Sequence, residues 1–131
     1  MRTKTRVWAL AVVLLALSFT VAPAPAQATC QGIGTVVPYA FESITVSSTA
    51  IGFTTATAFP AGQAPLMAVV TTETNPIRFR ADGSNPTAAE GHLVAASSTI
   101  EVCGKAAMTN FKMIRTSADA TAKVTFYGLG L

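Results

Sequence analysis

The sequence predicts an all-β fold: a small antiparallel sandwich, Ig-like or jelly-roll-like, of about seven short strands behind an N-terminal export signal. Three observations predict it. Apolar and polar residues alternate in short stretches punctuated by Gly, Pro, Asn and Asp. The chain is rich in Thr, Val and Ala and poor in the Leu, Glu and Lys that fill surface helices. The 103 residues from Thr29 to Leu131 are enough for one hydrophobic core and too few for two. The expected organisation is a signal peptide over residues 1–28 and a single β-sandwich domain over 29–131.

The signal comes first. Arg2, Lys4 and Arg6 form a positive segment, Val7 to Val21 is an almost unbroken apolar run, and Ala26-Gln27-Ala28 is a small-x-small cleavage site. The run is about 15 residues, whereas a spanning helix needs roughly 20, and Pro23 and Pro25 interrupt it. Cleavage leaves a secreted or periplasmic chain that starts at Thr29 and keeps no stable membrane anchor.

Along the mature chain, Tyr39 to Ser47 reads as the first strand, with a bulge expected near Glu42 or Ser43 because Phe41 and Ile44 fall on opposite parities. Ile51 to Thr57 reads as a second strand, followed by a Pro60, Gly62, Pro65 loop and a buried strand from Leu66 to Thr72. Ile77-Arg78-Phe79-Arg80 alternates cleanly, with Ile77 and Phe79 inward and both arginines outward. Asp82-Gly83 turns the chain into a polar excursion, Ser84 to Gly91. There Pro86 and the Thr87/Glu90 spacing suit one helical turn with a capping box. Thr99 to Cys103 places Ile100 and Val102 inward and Cys103 outward; Asn110 to Arg115 and Ala122 to Tyr127 complete the strands, with Ser117 to Thr121 as a hairpin loop.

The formal charge of +3 belongs to the signal. Nine basic residues face six acidic ones, and three of the nine are Arg2, Lys4 and Arg6, so the mature chain is neutral. That argues against nucleic acid as a partner, since such binding needs a surplus of cations on one face. Two cysteines, Cys30 and Cys103, remain in a chain addressed to an oxidising compartment, and their even number predicts a Cys30–Cys103 disulfide.

No catalytic, metal or cofactor site is expected. His92, the single histidine, reads as a loop residue with Asp82, Asn85 and Glu90 near it in sequence, but at no recognised ligand or triad spacing. Asp82-Gly83-Ser84-Asn85 lacks the further oxygen donors of a calcium loop, and no G-x-S-x-G elbow precedes a helix. These residues read as turn-forming polar groups. Arg78 and Arg80, with Asp82, Asn85 and His92 beside them, form the candidate contact surface, which Lys112 and Arg115 could extend.

The stretch Pro76-Ile77-Arg78-Phe79-Arg80-Ala81-Asp82-Gly83-Ser84-Asn85-Pro86-Thr87, then Gly91-His92-Leu93 and Asn110-Phe111-Lys112-Met113-Ile114-Arg115-Thr116, resembles a small family of phage and prophage proteins. Ser47 to Phe53 is similar to an earlier segment of that family. The resemblance implies a virion-associated β domain, a decoration or tail component; the signal and the cysteine pair depart from it. The Asp82 to Thr87 corner with the later Lys112-Met113-Ile114 strand is also similar to the Ig-like C-terminal module of chitobiase and β-hexosaminidase enzymes, which implies a sandwich.

The expected function is that of a secreted, non-enzymatic structural or adhesive module. It would meet a protein partner, or assemble with itself, through an exposed sheet face or edge. A small glycan-binding module is the alternative and a small hydrolase the third reading.

Overall fold

The computed structural model describes Cys30 and residues 32–129. The expected signal segment and its cleavage site lie outside the described residues. The chain folds as seven strands in two antiparallel sheets, a small all-β sandwich. In chain order the elements are β1 (Val36–Val46), α1 (Thr55–Ala58), β2 (Pro65–Thr72), β3 (Ile77–Arg80), β4 (His92–Val94), β5 (Thr99–Cys103), α2 (Lys105–Asn110), β6 (Lys112–Arg115) and β7 (Ala120–Leu129). The larger sheet has the order β1-β7-β2-β5 and the smaller β4-β3-β6.

Alternation builds the core. Along β7, Ala120, Ala122, Val124 and Phe126 are buried while Thr121, Lys123, Thr125 and Tyr127 turn outward, the period-2 pattern of a strand covered on one face. Ile44, Val46, Ala68, Val70 and Val102 join them from the larger sheet; Ile77, Val94 and Met113 face them from the smaller one. Met108 of α2, the adjacent Phe111 and Ala58 of α1 close the space between the sheets. A run of ring contacts links the two layers: Tyr39 to Phe126 (6.3 Å), Phe126 to Phe53 (5.2 Å), Phe53 to Phe111 (4.7 Å) and Phe111 to Phe79 (5.2 Å).

Several local expectations are corrected. Ile51 to Thr57 is not a strand. Ile51 makes one bridge to Met113, and the chain then turns through α1, with Ala58 and Phe59 amides donating to the Thr54 and Thr55 carbonyls. The β-branched threonines favour a strand locally, but burying Ala58 and returning Phe53 and Phe59 to the core requires a turn, so packing overrides propensity. Gly52 permits the approach, because a side chain there would lie 2.8 Å from the Phe111 carbonyl oxygen.

The bulge in β1 falls between Pro38 and Ala40, not at Glu42 or Ser43. Phe41 and Ile44 therefore do lie on opposite faces, Ile44 buried and Phe41 60% exposed. Ser117 to Thr121 is not a hairpin loop either: β7 already begins at Ala120, and β6 and β7 belong to different sheets, so this connection crosses the sandwich. The strand expected from Asn110 begins at Lys112, because Asn110 ends α2.

Cys30 and Cys103 form a disulfide, Cα to Cα 5.4 Å, as the sequence predicts. Cys103 is exposed at the end of the edge strand β5, and the Cys30 amide donates to Glu101 Oε2 (2.9 Å). The bridge ties the start of the domain to β5, while six residues later the same chain enters β1 at the opposite edge of the sheet. The register puts Cys103, Met67, Tyr127 and Pro38 in one row across the outward face. Met67 is only 9% exposed there although it lies outside the core cluster.

Candidate functional site

Antiparallel pairing of β3 with β6 sets Arg78 opposite Ile114 and Arg80 opposite Lys112. Side chains two apart on a strand share a face, so Arg78, Arg80 and Lys112 stand together on the outer face of the smaller sheet, with Leu93 of β4 opposite Arg78. Ile77 and Phe79 point inward as expected. Arg115 pairs with Ile77 instead and makes an ion pair with Asp119, away from this face.

Three cations on one face repel unless neutralised, and the segment between β3 and β4 folds back to do so. Arg78 donates through Nε to the Ala88 carbonyl (3.0 Å) and through Nη1 to the Gly91 carbonyl (2.8 Å). Arg80 holds Asp82 with two bonds, Nε to Oδ1 (3.1 Å) and Nη2 to Oδ2 (2.6 Å), and reaches Glu90 Oε1 through Nη1 (3.2 Å). Lys112 Nζ donates to Asn85 Oδ1 (2.9 Å). Each cation of the expected contact face is thus bonded to the chain's own loop.

The loop is also closed within itself. The Ser84 amide donates to Asp82 Oδ1 (3.1 Å), and the Gly83 amide to the Asn110 carbonyl (3.2 Å). The Glu90 amide donates to Thr87 Oγ1 (3.0 Å), and the Thr87 amide to the Glu90 carbonyl (3.0 Å). Thr87 and Glu90 do meet through one bond of a capping box, but no helix follows; the expected helical turn is a tight closed bend. Pro86 is buried as the loop's apolar anchor. Gly91 adopts φ +123°, and a β-carbon there would lie 2.9 Å from the Phe79 carbonyl oxygen, so glycine is what lets the loop seat against β3.

His92 is the first residue of β4, not a loop residue; it pairs with Phe79 and lays its ring against the Phe79 ring (5.2 Å). Arg80, Ala81, Asp82, Glu90, Gly91 and His92 line an open depression of about 470 Å³. The structure thus gathers Arg80, Asp82 and His92 around one hollow and uses Arg78 and Asn85 to fasten the loop. The two-bond clamp of Arg80, reinforced by the Ser84 amide, holds the Asp82 carboxyl down at about 2, and the same pairing raises Arg80. The Asp82 and Glu90 side chains stay 54% and 74% exposed. With two carboxylates against one guanidinium, the hollow presents acceptors, and it suits a hydroxyl or a basic side chain better than an anion.

Cys30, Glu101 and Cys103 also bring ligand-type atoms within 4.8 Å of one another, but the two sulfurs are bonded in the disulfide. Among the described residues no helix is long and apolar enough to cross a membrane. No family model, curated protein or solved structure matches this chain.

Sequence reasoning missed the outward face of the larger sheet. Phe41 and Tyr127 share it with Val69, Thr71, Thr125 and Thr45, a surface of apolar and hydroxyl groups. The signal was present in the parity of Phe41 against Ile44, which a bulge at the wrong residue explained away.

Proposed function

We propose that the chain works outside the cytoplasm, secreted or periplasmic, as a non-enzymatic structural or adhesive module. It engages a protein partner, or further copies of itself, through the 82–92 loop surface. The resemblance to phage proteins fits descent from a virion decoration or tail component. What supports this reading is the bracing of the loop. A polar segment left mobile would lose conformational entropy on every contact, and fastening it in advance to Arg78, Arg80 and Lys112 removes that cost. The exposed residues of the surface include Asp82, Asn85, Ala89, Glu90, His92 and Leu93. Their acceptor-rich hollow suits a partner that offers Lys, Arg or hydroxyl groups. Nucleic acid is a poor fit, because the three cations that could meet phosphate are neutralised or occupied by the loop.

A second reading, a glycan-binding module, is favoured by the outward face of the larger sheet, where Phe41 and Tyr127 lie among threonines. Sedimentation velocity and a glycan array on the wild type, an Ala89→Lys, Leu93→Lys pair and Phe41→Lys separate the two. Self-assembly or partner capture lost only in the loop pair supports the first. Saturable sugar binding lost only in Phe41→Lys supports the second and contradicts the first.

A further inference from the structure

We propose that Asp82–Gly83 is a latent succinimide site that the Arg80 clamp holds shut, and that its conversion to isoaspartate releases the 82–91 loop. Among aspartyl pairs Asp-Gly is the most open to this reaction, because glycine offers no side chain to hinder its amide. The Gly83 nitrogen attacks Asp82 Cγ, a C–N bond forms, and the carboxyl oxygen leaves as water with the amide proton. Water then adds at either ring carbonyl, giving aspartate or isoaspartate with no net change in mass.

Each requirement of ring closure is opposed by a contact in this fold. Both Asp82 oxygens are engaged, Oδ1 by Arg80 Nε and the Ser84 amide and Oδ2 by Arg80 Nη2. The nucleophile is engaged as well, its N–H donating to the Asn110 carbonyl. The carboxyl must be neutral to lose water, and the Arg80 clamp holds it down at about 2, so less of it is neutral at a given pH. Isomerisation inserts a methylene into the backbone and shortens the side chain, so the two-bond clamp to Arg80 cannot re-form. The loop then loses the anion that holds its start, at the rim of the proposed contact surface. The chemistry stands whether or not that surface binds a partner.

The test is incubation of the folded, disulfide-bonded wild type at mildly acidic pH, beside the same protein unfolded in urea and folded Arg80→Gln and Arg80→Lys variants. Isoaspartate is counted by enzymatic carboxyl methylation and located by electron-transfer fragmentation. The proposal expects Asp82 to convert at least ~10-fold more slowly in the folded wild type than in the unfolded chain, with Arg80→Gln moving most of the way to the unfolded rate. It also expects faster amide exchange over 84–91 in the isolated isoaspartate form. Equal rates in folded and unfolded wild type would overturn it, as would a folded Arg80→Gln no faster than wild type, or an isoaspartate form with wild-type exchange.

Discussion

Replacing Thr72 by Val should stabilise the domain. Thr72 is fully buried on the inner side of β2, and its Oγ1 has no hydrogen-bond partner among the described residues. Its backbone is satisfied, the amide donating to the Ser98 carbonyl (2.8 Å) and the carbonyl accepting from Ser97 (2.7 Å), so the substitution leaves the ladder intact. An unpaired buried hydroxyl costs about 1–3 kcal/mol, and the replacement methyl is nearly isosteric. The expected gain is about 1–2 kcal/mol. For a domain of this length that is a rise in melting temperature of roughly 5–10 °C. Urea unfolding of the oxidised protein should show a higher midpoint with an unchanged slope. Thr71→Val is the control: the Thr71 Oγ1 hydrogen-bonds Thr99 at the surface, so no gain is expected there. A lower midpoint for Thr72→Val would refute the inward, unpaired assignment of this hydroxyl.

Changing both cysteines to Ser should lower stability by about 4 kcal/mol, because the bridge spans 73 residues; urea unfolding of the oxidised protein and the double variant measures it. The Asp82 carboxyl should titrate by NMR near 2 and move back toward 3.8 in Arg80→Gln. Since its folded value is depressed, its fastening of the loop is fully present above 3.8 and is lost as pH falls through about 2. Gly91→Ala should cost about 1–3 kcal/mol in thermal unfolding, as it forces both a positive φ and a contact with the Phe79 carbonyl.

Much of the sandwich is legible in the sequence because most of its strands carry period-2 alternation, as in Ile77 to Arg80 and Ala122 to Tyr127. The elements that were not legible are short and decided by tertiary contacts. β4 has three residues, α1 has four, and α1 is made of threonine and alanine that favour a strand as readily as a turn. α2 left a weak trace in Gly104, the helix-forming Lys-Ala-Ala-Met run and the apolar spacing of Ala107, Met108 and Phe111, but Thr109 and Asn110 obscured it. The disulfide was legible from the even cysteine count and the expected export alone. In the candidate site, the outward parity of Arg78 and Arg80 was readable. What they bind was not, because their partners are the carbonyls of Ala88 and Gly91 and the carboxylates of Asp82 and Glu90, set by how the loop returns.

The proposed contact surface depends on a loop held in place by its own cationic face. Hydrogen exchange at the Ala89 and Glu90 amides, compared between wild type and Arg78→Met, tests this most directly. Removing Arg78 deletes two charge-assisted bonds at a part-exposed site, about 1.4 kcal/mol of local stability, so exchange there should accelerate roughly tenfold while the β7 amides stay unchanged. Unprotected exchange at these amides in the wild type, unaltered by Arg78→Met, would contradict it.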